Sequence, residues 1–113
     1  MRKLQITSFG FRHGQPPAAD LVVDLRDLKN PEHDRELRKL RGTDEPVAQE
    51  VRQSAGYEKL FHQTKFKAAS ARSVAVGCKS GHHRAVVLAI DLSQHFKNLG
   101  YEVNLTHRDI AVT

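Results

Sequence analysis

The chain has 113 residues, 39% of them hydrophobic and 27% charged, which suffices for one modest core in one domain and excludes a disordered tail, a collagen-like fibre or a disulfide-stapled miniprotein. Its longest uncharged apolar run, Ala85–Ile90, falls far short of the roughly 20 residues that span a bilayer, and Met1-Arg2-Lys3-Leu4 is not followed by the apolar stretch of a secretory signal. Against 13 acidic side chains stand 18 basic ones, a net charge of +5 with seven histidines besides, so phosphate-bearing partners come into question, while the single cysteine, Cys78, forbids an internal disulfide and fits a reducing, cytoplasmic compartment.

Four stretches read as strands. Leu4–Phe9 opens the chain and stops at Gly10. Asp20–Leu25 holds the uninterrupted triplet Leu21-Val22-Val23, the pattern of a strand covered on both faces. Ser73–Cys78 carries Val74-Ala75-Val76, and Tyr101–His107 alternates, with Tyr101, Val103 and Leu105 on one side and polar residues on the other, as an edge or half-exposed strand does. Helices are expected after Asp44-Glu45-Pro46, where a capping residue precedes a first-turn proline, over Tyr57–Ala69, and over His82–Leu99. In the last of these Ala85, Leu88, Ala89, Leu92, Phe96 and Leu99 form one apolar stripe, closed by Gly100.

The final third therefore reads as a right-handed βαβ unit, and the whole as a small α/β fold: a mostly parallel four-stranded, Rossmann-like sheet with helices packed on it. Ligands of such folds sit where strand carboxyl ends meet helix amino ends. Here that place is the segment Gly77-Cys78-Lys79-Ser80-Gly81-His82-His83-Arg84. Gly81 permits a tight turn, the first helical N–H groups lack intrahelical acceptors, and Lys79, Arg84 and the histidines add full or titratable charge. All of these favour an anion, most simply phosphate or sulfate. Charge on the histidines below about pH 6.5 would strengthen the attraction. No Walker pattern occurs, and no cofactor or metal ion is expected, since His82 and His83 are adjacent and no H-x3-H or C-x2-C spacing exists. Cys78 and Arg84 stand at the C-x5-R spacing of cysteine-dependent phosphatases, in which a thiolate attacks phosphorus at a helix amino end. Gly77 precedes the cysteine where those enzymes have histidine, and Ala85 follows the arginine where they have Ser or Thr. A cysteine phosphatase is accordingly the alternative, and a non-catalytic binding module the leading reading.

The segments Ser8-Phe9-Gly10-Phe11-Arg12-His13-Gly14, Ala19–Arg26, Asn30-Pro31, Glu36-Leu37-Arg38, Gly42–Val47, Gly77–Arg84, Gly100–Val103 and His107-Arg108-Asp109 follow one another at characteristic spacing. Together they resemble the C-terminal domain of the RapZ (RNase adapter protein) family over essentially the whole chain, as one domain spanning 1–113 with no P-loop NTPase domain. The resemblance implies a regulatory domain that senses a sugar phosphate, glucosamine-6-phosphate, binds small RNAs and self-associates. It places the sugar-phosphate pocket on a Gly-Cys-x-x-Gly-x-His-Arg loop, matched by Gly77–Arg84, with Arg12 and His13 facing it and Arg26 and Asn30 approaching on a second segment. Lys79-Ser80 and Ala85 depart from the enterobacterial form of the loop, and Glu32-His33 follow Asn30-Pro31 where His-Trp is common. RNA phosphates would meet the basic stretch Arg35, Arg38, Lys39 and Arg41, with Arg108; Lys59, Lys65 and Lys67 form a second basic row.

Overall fold

The computed structural model describes residues 1–113 throughout. Four strands, β1 (Lys3–Gly10), β2 (Leu21–Asp24), β3 (Ser73–Cys78) and β4 (Glu102–His107), pair in the order β2-β3-β1-β4, every pair parallel. The α/β class and parallel sheet expected from the sequence are present. The unit β3–helix–β4 is parallel as read, but its strands are not neighbours, because β1 lies between them. Short 3-10 turns cover Phe11–His13 and Pro31–His33, and helices are α1 (Glu45–Gln53), α2 (Tyr57–Ala68) and α3 (Arg84–Asn98). No helix is long and apolar enough to cross a membrane.

The core forms between one face of the sheet and a layer of helices. Leu4 and Ile6 of β1 and Val74 and Val76 of β3 meet Ala85, Leu88, Ala89, Leu92 and Phe96 of α3, all of them buried. The stripe read from the sequence is thus the packed face of α3, except that Leu99 falls beyond the helix end and is 61% exposed. Helix α1 packs on α3 and α2, and α2 reaches β2. Tyr57 Oη donates to Asp91 Oδ2 at 2.6 Å, and Arg52 grips the same carboxylate with two nitrogens at 2.8 and 3.1 Å, so one acid of α3 ties the three helices together. The other face of the sheet is polar: Gln5 Nε2 reaches Thr7 Oγ1 at 3.3 Å and Thr106 Oγ1 at 3.5 Å.

The apolar triplet of β2 misled. That strand is an edge, and Val22 is 46% exposed; Val23 is buried in the core and Leu21 packs against it half-buried. A run of three residues cannot distinguish a central strand from an edge, because position in the sheet depends on which partner arrives later in the chain. The alternating β4 is the opposite edge, as its pattern indicated. Helix α3 starts at Arg84 rather than His82. The His82 N–H bonds to Ser80 Oγ at 3.3 Å, its C=O accepts the Gly42 N–H at 2.7 Å, and His83 has non-helical torsions (φ −122°, ψ −83°). These tertiary bonds keep the loop after β3 open through His83.

Candidate functional site

The carboxyl ends of β1 and β3 are pressed together backbone to backbone. A Cβ on Gly10 would stand 2.3 Å from the Ser80 carbonyl carbon and oxygen, and one on Gly81 would stand 2.7 Å from the Gly10 nitrogen. Gly81 also has φ +78°, a torsion that side chains resist. Asp109, almost fully buried, accepts the Gly10 N–H at 2.7 Å and holds Arg108 at 2.9 Å. The sequence offered Asp109 only as part of a family signature and Arg108 as an RNA contact; an acid just past a strand end was the signal for this anchor.

On this frame the loop leaves its donors open. The peptide N–H groups of Lys79, Ser80, Gly81, His83 and Arg84 have no acceptor within the protein, whereas those of His82 and Ala85 bond to Ser80 Oγ and Cys78 Sγ. Arg84 is only 3% exposed, and its Nη1 donates to the carbonyls of Leu25, Arg26 and Leu28 at 3.2, 3.2 and 2.9 Å. Its Nε is buried with no partner. The guanidinium thereby clamps the chain after β2 against the amino end of α3 and forms one wall of a cleft.

That cleft, about 350 Å3, is lined by Arg26, Asp27, Leu28, Lys29, Asn30, His33, Lys79 and Arg84. Its size is at the small end for metabolite sites. Arg26 is stacked over Phe11, 3.9 Å from the ring centroid, and paired with Asp24 at 2.7 Å; Lys29 is paired with Glu50 at 2.8 Å. Lys79 has no carboxylate partner and stands exposed. Of the residues grouped by the loop and the resemblance, Arg26, Asn30, Lys79 and Arg84 line this cleft together with Asp27, Lys29 and His33, whereas Arg12, His13, Gly77, Cys78, Ser80, Gly81, His82 and His83 do not. The Asn30 side chain also fixes the turn below the cleft, because its Oδ1 accepts the Glu32 N–H at 3.0 Å.

The histidines form a separate group behind the loop. The rings of His13 and His82 are 6.2 Å apart, and those of His82 and His83 6.0 Å. His82 Nε2 bonds to the Val112 carbonyl and His83 Nε2 to the Leu40 carbonyl at 2.7 Å. A carbonyl only accepts, so both Nε2 atoms carry the proton. In the neutral ring His83 Nδ1, buried and without partner, is then an acceptor. Burial pushes both imidazoles below the ordinary value of 6.5, so the charge that the sequence places on them below about pH 6.5 arrives only at lower pH. Glu32 lies beside Ser80 and Arg12. Burial raises its carboxyl, but the Ser80 hydroxyl and the Arg12 charge outweigh that and hold it below the ordinary carboxylate range.

His95 and His107 are also lowered, chiefly by burial. In the unfolded chain these four imidazoles protonate near 6.5, in the fold only below it. The unfolded state therefore takes up protons first, and stability falls as pH drops below about 6.5. The expected result is a thermal midpoint that declines steadily from pH 7 to pH 5. A midpoint flat across that window would show that the rings are not held neutral by the fold.

Cys78 does not support the phosphatase alternative. It is 1% exposed, and its Sγ accepts the Ala85 N–H at 3.4 Å, so no substrate phosphorus can reach it. Nor do three His, Cys, Asp or Glu side chains converge in metal-binding geometry. Of the basic residues read as RNA contacts, Arg35, Arg38 and Lys39 are exposed. Arg41 Nε instead donates to the Ile110 carbonyl at 2.7 Å, and Arg108 to the Gln15 carbonyl at 2.6 Å and to Asp109, so both cations brace the carboxyl-terminal turn.

Comparison with known families returns the RapZ C-terminal domain, whose family model matches residues 2–111. The chain belongs to the RapZ C-terminal domain family. Among curated proteins this RapZ-type domain is 36% identical over 123 aligned residues to a nucleotide-binding protein of Corynebacterium diphtheriae, covering 98% of this chain and 41% of the relative. It is 39% identical over 123 residues to a nucleotide-binding protein of Corynebacterium aurimucosum (98% and 42%) and 36% identical over 118 residues to one of Limosilactobacillus reuteri (95% and 41%). The RapZ-type domain thus spans about two-fifths of the length of the curated relatives it matches.

Proposed function

We propose that this RapZ-type domain is a non-catalytic regulatory module that binds a phosphorylated small molecule of the sugar-phosphate class in the Arg26–Lys79–Arg84 cleft. The supporting observation is a group of unused donors beside this cleft: the amides of Lys79 and Arg84, which have no acceptor, and an Arg84 Nε that is buried and unpartnered, on a guanidinium that lines the cleft; the amides of Ser80, Gly81 and His83 also lack acceptors but those residues do not line it. Buried donors in folded proteins are nearly always satisfied, so a set left open is a site for an acceptor-rich guest. Phosphate, with several acceptor oxygens and negative charge, matches such a set at a helix amino end. The relatives' designation as nucleotide-binding proteins shares the phosphate chemistry.

Isothermal titration with glucosamine-6-phosphate tests the reading. Saturable binding is expected, with a lower affinity for inorganic phosphate. Lys79→Glu, which alters an exposed and unpaired cation, should weaken it at least tenfold, about 1.4 kcal/mol, without moving the unfolding midpoint. No heat with either ligand at millimolar concentration refutes it. The exposed Arg35, Arg38 and Lys39 support a second ligand, a small RNA held by its phosphates, in a cytoplasmic setting. Its affinity should fall log-linearly with salt, and a flat response excludes backbone contacts.

A further inference from the structure

The largest hollow in the molecule, about 890 Å3, lies at the other end of the sheet from the anion loop. It is lined by residues at the amino ends of β1 and β4 and just before β3: Arg2, Lys3, Leu4, Gln5, Ala71, Arg72, Glu102, Val103 and Asn104. In a parallel sheet with return helices, the strands start where the helices end, so the last turns of α2 and α3 share this edge. Arg2 bears out the juxtaposition, donating from Nη2 to the Ala69 carbonyl at 3.0 Å and standing over the Tyr101 ring at 5.2 Å.

Unpaired cations occur at both ends of the sheet. At the carboxyl-end cleft Arg26 and Lys29 are matched by Asp24 and Glu50, while Lys79 and Arg84 have no carboxylate partner. At the amino end Arg2, Arg72, Lys65, Lys67 and Lys97 have no carboxylate within salt-bridge distance, and Lys3 has only a loose pair with Glu102 at 3.8 Å, both side chains exposed. Three of these cations, Arg2, Lys3 and Arg72, line the groove itself. The apolar exposure lies there too: Phe66 in the last turn of α2 is 84% exposed, and Leu99 after α3 is 61% exposed. Exposed apolar side chains beside unpaired cations are the marks of an interaction surface.

The groove itself selects between anionic partners. Its apolar lining is aliphatic, Leu4, Ala71 and Val103; the exposed Phe66 lies outside that lining, and the Tyr101 ring beside it is covered by the Arg2 guanidinium, so neither offers a base a stacking face within the groove. We propose that this groove docks an extended acidic polypeptide segment in which carboxylates alternate with aliphatic side chains, the carboxylates meeting Arg2, Lys3 and Arg72 and the aliphatic groups covering Val103 and its neighbours. The inference is independent of the sugar-phosphate reading, because no residue is shared between the two clefts.

The test uses the full 113-residue chain and a fluorescein-labelled peptide of alternating Glu and Leu, with poly-Glu of equal length and a single-stranded RNA decamer as comparisons. Anisotropy should show binding of the Glu-Leu peptide that is at least fivefold tighter than that of poly-Glu. The double variant Arg2→Gln, Arg72→Gln should weaken it at least tenfold, whereas Lys59→Glu, which changes net charge by the same amount elsewhere, should leave it within twofold. In 15N spectra of the unmodified chain, the amides of Arg2, Lys3, Arg72 and Glu102 should shift on adding peptide while those of Lys79–Arg84 stay put, a readout that survives any misfolding of the variants. Equal binding of poly-Glu, equal loss in both variants, shifts confined to other surfaces, or RNA in place of peptide on this edge would each overturn the proposal.

Discussion

Replacing Arg84 by methionine is expected to lower stability by about 2–4 kcal/mol and to abolish measurable sugar-phosphate binding. The side chain is almost wholly enclosed, and one nitrogen serves three carbonyls, of Leu25, Arg26 and Leu28. A hydrogen bond with a charged partner contributes about 1.5–3 kcal/mol, and stranded buried acceptors add their own desolvation cost. Methionine keeps much of the volume, so the loss reports the polar clamp rather than a cavity. The denaturant midpoint should fall with the slope unchanged, the sign of a stability change without altered compactness. Arg84→Lys separates the two roles. It retains the charge but has no planar fork to serve carbonyls and ligand together, so it should recover part of the stability and little of the affinity. Full stability in the methionine variant would mean that the chain after β2 is held by something else.

The second large effect is expected at Gly10. Its torsions, φ −114° and ψ 127°, are ordinary extended backbone, so alanine there meets no torsional objection. The obstacle is contact: the new Cβ would lie 2.3 Å from the carbonyl carbon and oxygen of Ser80 and 2.7 Å from the Gly81 nitrogen. These are backbone atoms and cannot rotate aside as a side-chain tip can. Overpacking a core usually costs about 1–3 kcal/mol, and Gly10→Ala is expected at or above the upper end of that range. The strand and loop must separate, which also strains the Asp109 bond to the Gly10 N–H. A lowered thermal midpoint together with faster amide exchange at Gly81–Arg84 is the expected pair of results. Gly14→Ala, where a Cβ would meet nothing within 4 Å, serves as a steric control, although its φ of 131° adds strain of its own. An unperturbed Gly10→Ala protein would show that the close approach of strand and loop is not needed.

The parts of the fold governed by local rules were legible in the chain. The stripe of α3 was readable because helical periodicity and burial coincide over four turns, and the outer strand β4 because one face of an edge strand stays wet and its residues alternate. The α/β class followed from the order of elements. The loop Gly77–Arg84 stood out because glycines, cations and a strand-to-helix junction fell together. What did not follow from the chain were relations between distant segments. The exposed Val22 of β2 depends on that strand lying outermost. The occupied guanidinium of Arg108 and the Arg41 brace depend on where residues 109–110 fold back.

The sequence by itself determined the class of fold, from local periodicity and the order of elements, and the family, from segments in characteristic order along the chain, and it singled out Gly77–Arg84 as the loop on which anion binding is proposed. Only the tertiary structure decided the state of the groups in that segment. It made Cys78 an enclosed acceptor rather than a nucleophile, tied Arg84 to carbonyls nearly 60 residues away, and left the imidazoles of His82 and His83 neutral. It also placed Arg2, Lys3 and Arg72 around one groove at the far end of the sheet. The physical reason is common to all four: whether a polar group is buried, partnered or free is set by what packs against it, and those neighbours come from other parts of the chain.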